Sequence, residues 1–193
     1  MKKRKVIVAS VVLLLVFLVG GVVAYFTDTD SETNTFTIGN IKIDVIEDKW
    51  KENDAKDLMP GQIVNKDPVI KNISRANSAY LFMKVEAPCT EDTPALELFP
   101  FTAHTDWYLM TDGSCTQGKI TRVYAYGTST AMKPVGAGSS TTALFKTVTV
   151  NDELEGDETG IDGNLDMIIT GYGVQVDGID ATKPEDVWNV GEF

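Results

Sequence analysis

Apolar and polar residues alternate with a period of two along most of this chain, which suits half-buried strands and not helices. Ile41, Ile43 and Val45 alternate with Lys42 and Asp44. Upstream, Phe36 and Ile38 fall on the opposite parity, so Gly39-Asn40 is expected to hold a bulge or bend. Further strands are expected at Ile63–Val64, Val69–Lys71, Ala79–Ala87, Trp107–Thr111, Lys119–Tyr126, Thr141–Val150 and Leu165–Val176. Turn clusters separate them: Met59-Pro60-Gly61, Asn72 to Ser78, Asp112-Gly113-Ser114, Pro134 to Ser140 and Gly156 to Asn164. Many short strands punctuated in this way predict an all-β fold, a single antiparallel β-sandwich of jelly-roll-like kind. Pro68 places the Val69 strand at an edge or a bulge.

Two segments depart from that period. Trp50 to Leu58 is polar and stops before Pro60, which predicts one or two turns of surface helix. Thr182-Lys-Pro-Glu-Asp-Val-Trp offers an N-cap, a first-turn proline and first-turn acids, so a short helix is expected there, seated by Val187, Trp188 and Val190. No internal repeat or low-complexity linker divides the chain, and 193 residues suit one domain.

The start of the chain obeys other rules. Lys2, Lys3, Arg4 and Lys5 precede a run, Val6 to Val19, that is apolar apart from Ser10. Gly20-Gly21 breaks the run, and the small or modest residues Val22-Val23-Ala24 follow. A basic head, an apolar stretch and a small-residue exit are the parts of a secretory signal peptide, residues 1–24. The alternative is an uncleaved anchor, since Val6 to Ala24 is just long enough to span a bilayer. Under either reading the residues after Tyr25 are exported.

Charge narrows the partners. The whole chain has 17 Lys+Arg against 28 Asp+Glu, a formal net charge of -11. Without residues 1–24 the balance is 13 against 28, or -15, and residues 151–193 alone hold twelve acids and a single base, Lys183. Nucleic acid is excluded as the main partner, because phosphate binding needs a basic face. The acidic stretch has two readings, a solvated face or a Ca²⁺ loop using Asp157, Asp162, Asn164 and Asp166. Its spacing departs from the EF-hand, which favours the solvated turn.

Cys89 and Cys115 are the only cysteines, and an exported chain carrying two suggests a disulfide between them. No CxxC spacing occurs, and His104 is the only histidine, so neither HExxH nor a His-rich zinc set can exist. A Ser-His-Asp triad would have to use His104, which reads better as an ordinary loop histidine. GxSxG, Walker and GxGxxG motifs are all missing from the sequence. No catalytic residue is nominated.

Tyr25 to Gly39 is polar, threonine-rich and strand-prone, with sparse anchors at Phe26, Phe36 and Ile38. It reads equally as the first strand of its own sheet and as a donor strand that completes a neighbour. Head-to-tail exchange does not close, so it builds filaments.

Ala24-Tyr-Phe-Thr-Asp-Thr-Asp-Ser-Glu-Thr-Asn-Thr-Phe-Thr-Ile-Gly-Asn, after a glycine-broken apolar run, resembles the start of exported proteins of the camelysin/TasA family of Gram-positive bacteria. Leu58-Met-Pro-Gly-Gln, Lys66-Asp-Pro-Val-Ile-Lys-Asn, Ala79-Tyr-Leu-Phe-Met-Lys-Val, Gly173-Val-Gln-Val and Pro184-Glu-Asp-Val-Trp extend the likeness. The resemblance implies cleavage between Ala24 and Tyr25 by a SipW-type signal peptidase. It also implies a jelly-roll-like sandwich over residues 25–193 and assembly into biofilm matrix fibres through an exchangeable N-terminal strand within residues 25–46. The family's second label, metallo-endopeptidase, implies zinc. Cys89, Cys115 and the acidic tail do not map onto the family pattern.

The expected function is therefore that of a secreted structural protein of the cell surface or biofilm matrix. Its expected partners are itself, the signal peptidase during export, and a sister matrix or anchor protein. The alternatives are a camelysin-type surface metallo-endopeptidase and a monomeric adhesin. No cofactor is expected, with Ca²⁺ as an option and Zn²⁺ tied to the protease reading.

Overall fold

The strand Ala79–Pro88 organises the molecule, because it is buried on both faces. The computed structural model describes residues 36–38, 41–50, 58–90, 92, 94–153 and 166–193, all within the unit Thr33–Phe193. The expected signal peptide, the expected bulge or bend at Gly39 and residues 51–57 of the expected polar helix lie outside the described residues.

In chain order the strands are β1 (Phe36–Ile38), β2 (Ile43–Ile46), β3 (Ile63–Asn65), β4 (Val69–Asn72), β5 (Ala79–Pro88), β6 (Trp107–Asp112), β7 (Lys119–Tyr126), β8 (Thr147–Thr149) and β9 (Ile168–Gln175). Helix α1 (Pro184–Gly191) follows. The five-stranded sheet has the order β1-β9-β5-β7-β6, and β2-β4 and β3-β8 form two separate antiparallel pairs. All pairings within the large sheet are antiparallel except one: β1 runs parallel to β9. The fold is all-β with a single short helix among the described residues.

Period two sends β5 in both directions. Ala79, Leu81, Met83, Val85 and Ala87 enter a core shared with Ile41, Ile43 and Ile70 from the β2-β4 side and Val64 and Val148 from β3-β8. Tyr80 and Phe82 point the other way, into a second cluster with Ala125, Val174 and Val187. The second layer of the sandwich is thus the pair of small sheets, while α1 covers part of the large sheet's outer face. Complete burial of a side chain such as Phe82 contributes about 2–3 kcal/mol. Beyond the helix, Lys84 and Glu86 occupy that same outer face and pair at 3.2 Å.

Helix α1 begins differently from expectation. Lys183 is its N-cap and makes no side-chain capping bond, whereas the Thr182 carbonyl accepts the Met132 N–H. Pro184 and the acids Glu185 and Asp186 fill the first turn as the sequence predicts. Val187 is buried and Trp188 meets Phe82 edge to face at 5.1 Å, but Val190 is exposed and does not help seat the helix. The strand expected over Thr141–Val150 is also shorter, because only Thr147–Thr149 is strand. Residues 141–144 instead bond Ile70 and Pro68, holding the chain across β4 before β8 begins.

Buried polar groups fix the turns. The Asn72 amide donates to the carbonyls of Asn77 and Val135, both at 2.9 Å, and its oxygen accepts the Ser74 N–H. Lys66 is buried, donates to Glu47 Oε2 at 2.9 Å and lies 4.3 Å from the centre of the Trp50 ring. Pairing and a facing aromatic ring both offset the desolvation of its ammonium.

Candidate functional site

The N-terminal strand enters the fold by a short junction. Phe36, Thr37 and Ile38 align with Tyr172, Gly173 and Val174 of β9, so β1 covers one end of a strand whose other edge is paired with β5 from Ala79 to Glu86. β1 is three residues long and forms the edge of the sheet. Few ladder bonds therefore hold it, and local opening at such an edge lies at the low end of a protein's free-energy scale. Of the expected strand anchors, Phe36 and Ile38 fall in β1, while Phe26 lies outside the described residues, as do the expected cleavage-site residues Ala24 and Tyr25.

A second feature had no signal in the sequence. A groove of about 600 Å³ opens between residues 100–105 and the β8 region, two stretches that are distant along the chain. The backbones run together at first, with Asn151 N–H donating to Leu98 O at 2.9 Å and Thr149 N–H to Pro100 O at 3.0 Å. They rejoin where His104 N–H donates to Leu144 O. The intervening rung, Thr102 with Thr147, is not made. Pro100 has no N–H to return the bond from Thr149, so the ladder is weakened where it begins to part. Phe101, half-buried, and Phe145, buried, lie on the groove with ring centres 4.1 Å apart.

His104 lines this groove, and Asp106 Oδ2 lies 3.6 Å from its Nδ1. Its Nδ1 accepts the Asp106 N–H at 3.1 Å, and Asp106 Oδ2 accepts the Thr142 hydroxyl at 3.1 Å. A nucleophilic triad needs a serine or cysteine on the histidine, and among the described residues none bonds it. The described residues also do not fit a catalytic zinc ion. They contain no group of three or more His, Cys, Asp or Glu placed to hold a metal, and the single histidine already engages its neighbour's N–H through Nδ1.

Cys89 and Cys115 are joined as a disulfide, with Cα atoms 6.2 Å apart, linking the end of β5 to the β6–β7 connection. Nearby, Arg122 donates to Glu97 and Asp112, each at 2.7 Å. Burial acts to lower the Arg122 pKa, but these two hydrogen bonds together with the charges of Glu97 and Tyr124 hold the guanidinium above its ordinary value. Burial pushes Tyr124 up to about 12, with Arg122 opposing and the carboxylates of Glu97 and Asp112 adding to the rise. Of the candidate Ca²⁺ ligands, Asp166 is exposed, while Asp157, Asp162 and Asn164 lie outside the described residues.

No helix among the described residues is long and apolar enough to cross a membrane. Comparison with curated proteins and with solved structures finds no match. The sequence model of the family described as camelysin metallo-endopeptidase matches residues 1–91, a stretch that includes β1 to β5 and Cys89. The resemblance to the camelysin/TasA family is thus borne out over residues 1–91 of this chain.

Proposed function

We propose that this is an exported structural protein of the bacterial cell surface or biofilm matrix, which assembles into fibres by passing its N-terminal strand to a neighbour. The observation that supports this reading is the β1–β9 junction. A three-residue edge strand is released at small cost, and its departure uncovers β9 from Tyr172 to Val174. The same segment of a second copy makes the same main-chain bonds there, so exchange is close to isoenergetic and mass action decides it. Because donor and acceptor are different surfaces, the contact is heterologous and propagates as a filament. The basic head and apolar run at residues 2–19 support export, with a SipW-type signal peptidase exposing the segment at Tyr25. A sister matrix protein or an anchor completes the proposed partner set.

The description of the matching family, camelysin metallo-endopeptidase, favours a second reading, a surface metallo-endopeptidase. Against it stands the donor set: the sequence holds one histidine, and among the described residues no group of three or more His, Cys, Asp or Glu could hold a metal ion. Negative-stain microscopy and a chelator-sensitive proteolysis assay on the purified protein separate the two. Filaments without chelator-sensitive cleavage support the structural reading. Zinc-dependent cleavage without filaments overturns it.

A further inference from the structure

We propose that the groove between residues 100–105 and β8 binds a short stretch of an anionic polysaccharide, with sugar rings on the Phe101 side and acid groups at Lys146. This goes beyond fibre assembly, since it concerns what the assembled protein holds rather than how it joins its own copies.

The lining supplies three kinds of contact that a sugar acid needs. Phe101 is half-buried and backed by Phe145, giving an apolar surface for the C–H face of a pyranose ring. Thr102, Thr105, Thr147 and Thr149 carry hydroxyls that both donate and accept, matching the mixed hydrogen-bonding character of sugar hydroxyls. The unmade rung between Thr102 and Thr147 leaves backbone groups on both walls that the ladder does not use. His104 adds an imidazole ring, whose Nδ1 accepts the Asp106 N–H.

Charge selects among sugars. The whole chain has 28 acids against 17 bases, yet among the described residues no Asp or Glu is in the groove's lining, where exposed Lys146 lies; Asp106 Oδ2 stands 3.6 Å from His104 Nδ1 at the far end. A groove whose described lining holds a cation and no acid complements an anion at its Lys146 end, and the protein's overall field keeps that attraction short in range. A volume of about 600 Å³ is in the range of small-ligand sites and suits a few sugar rings. Carboxylate and phosphate are the two sources of the negative charge, and the same contacts serve either.

Titration calorimetry of the purified protein with four probes tests the proposal: oligogalacturonate, a phosphomannan, neutral dextran and polyglutamate. At least one of the first two is expected to bind, with dextran and polyglutamate at least tenfold weaker. Whichever anionic polymer binds more tightly identifies the carboxylate or the phosphate source. Lys146→Glu is expected to weaken binding at least tenfold and Thr147→Val several-fold, with melting temperature and filament formation unchanged. Absence of binding by both anionic polymers, equal binding by Lys146→Glu, or polyglutamate binding as tightly as the sugars overturns the proposal. Because filaments are scored separately, failure here leaves the assembly reading standing, and the reverse also holds.

Discussion

A β-carbon built on Gly171 would lie 2.8 Å from Cγ2 of Val45, closer than packed carbon atoms approach. Ile43 and Ile70 crowd the same point at 3.4 Å, so the bare backbone of β9 lets the β2-β4 pair settle onto the large sheet. Gly173 plays the same part against Ile41, Ile43 and Leu81. Gly171→Ala is expected to lower stability by about 1–3 kcal/mol through overpacking. Val45→Ala in the same chain should recover part of that loss, and urea denaturation of the two single variants and the double variant measures the coupling.

The outer face of the sheet depends on aromatic contacts from the C-terminus. Trp188 touches Phe82, Tyr172 and Phe193 with ring centres between 5.0 and 5.4 Å apart. Trp188→Ala is expected to cost about 3 kcal/mol and to loosen α1 from β9, whereas Val190→Ala, on the exposed side, should change stability by less than about 0.5 kcal/mol. Thermal denaturation of the pair of variants checks both.

The Cys89–Cys115 bond closes a loop with a sequence separation of 26 that contains all of β6. On the chain-entropy account, replacing both cysteines with alanine lowers stability by roughly 3.5 kcal/mol. Urea denaturation of that variant, alongside the reduced native protein, gives the figure.

Tyr124 gives the molecule an alkaline signature. Burial raises its folded pKa to about 12 from the ordinary 10, so above pH 10 the unfolded chain loses this proton before the folded one does. Its contribution is complete below pH 10 and falls away as pH rises to about 12. The integrated effect is about 2–3 kcal/mol. Tyr124→Phe should flatten that part of the stability curve relative to the native protein, as measured by denaturation at stepped pH.

Strands with strong alternation were legible residue by residue: β7 matches the expected Lys119–Tyr126, and β5 exceeds Ala79–Ala87 by one residue. Alternation reports local burial, so it located β9 and β6 to within a few residues but could not assign partners. The parallel entry of β1 beside β9 is a matter of long-range topology with no local pattern. Thr141 differs for a related reason: its N–H bonds Ile70 O, so it is buried against β4 without lying in β8. The groove was illegible because its walls come from stretches far apart in sequence, and only Pro100 hints that a ladder ends there. His104 read as an ordinary loop histidine, and its bond to the Asp106 N–H accords with that.

The central claim is that the N-terminal segment joins one copy to the next, and deletion of Tyr25 to Ile38 tests it most directly. Electron microscopy of the deleted protein, set beside circular dichroism to verify that β-structure persists, is the measurement. The account predicts a folded sandwich that forms no fibres, and a free peptide of residues 25–38 that shortens the fibres of the intact protein. Fibres as long and as numerous as those of the intact protein would contradict it.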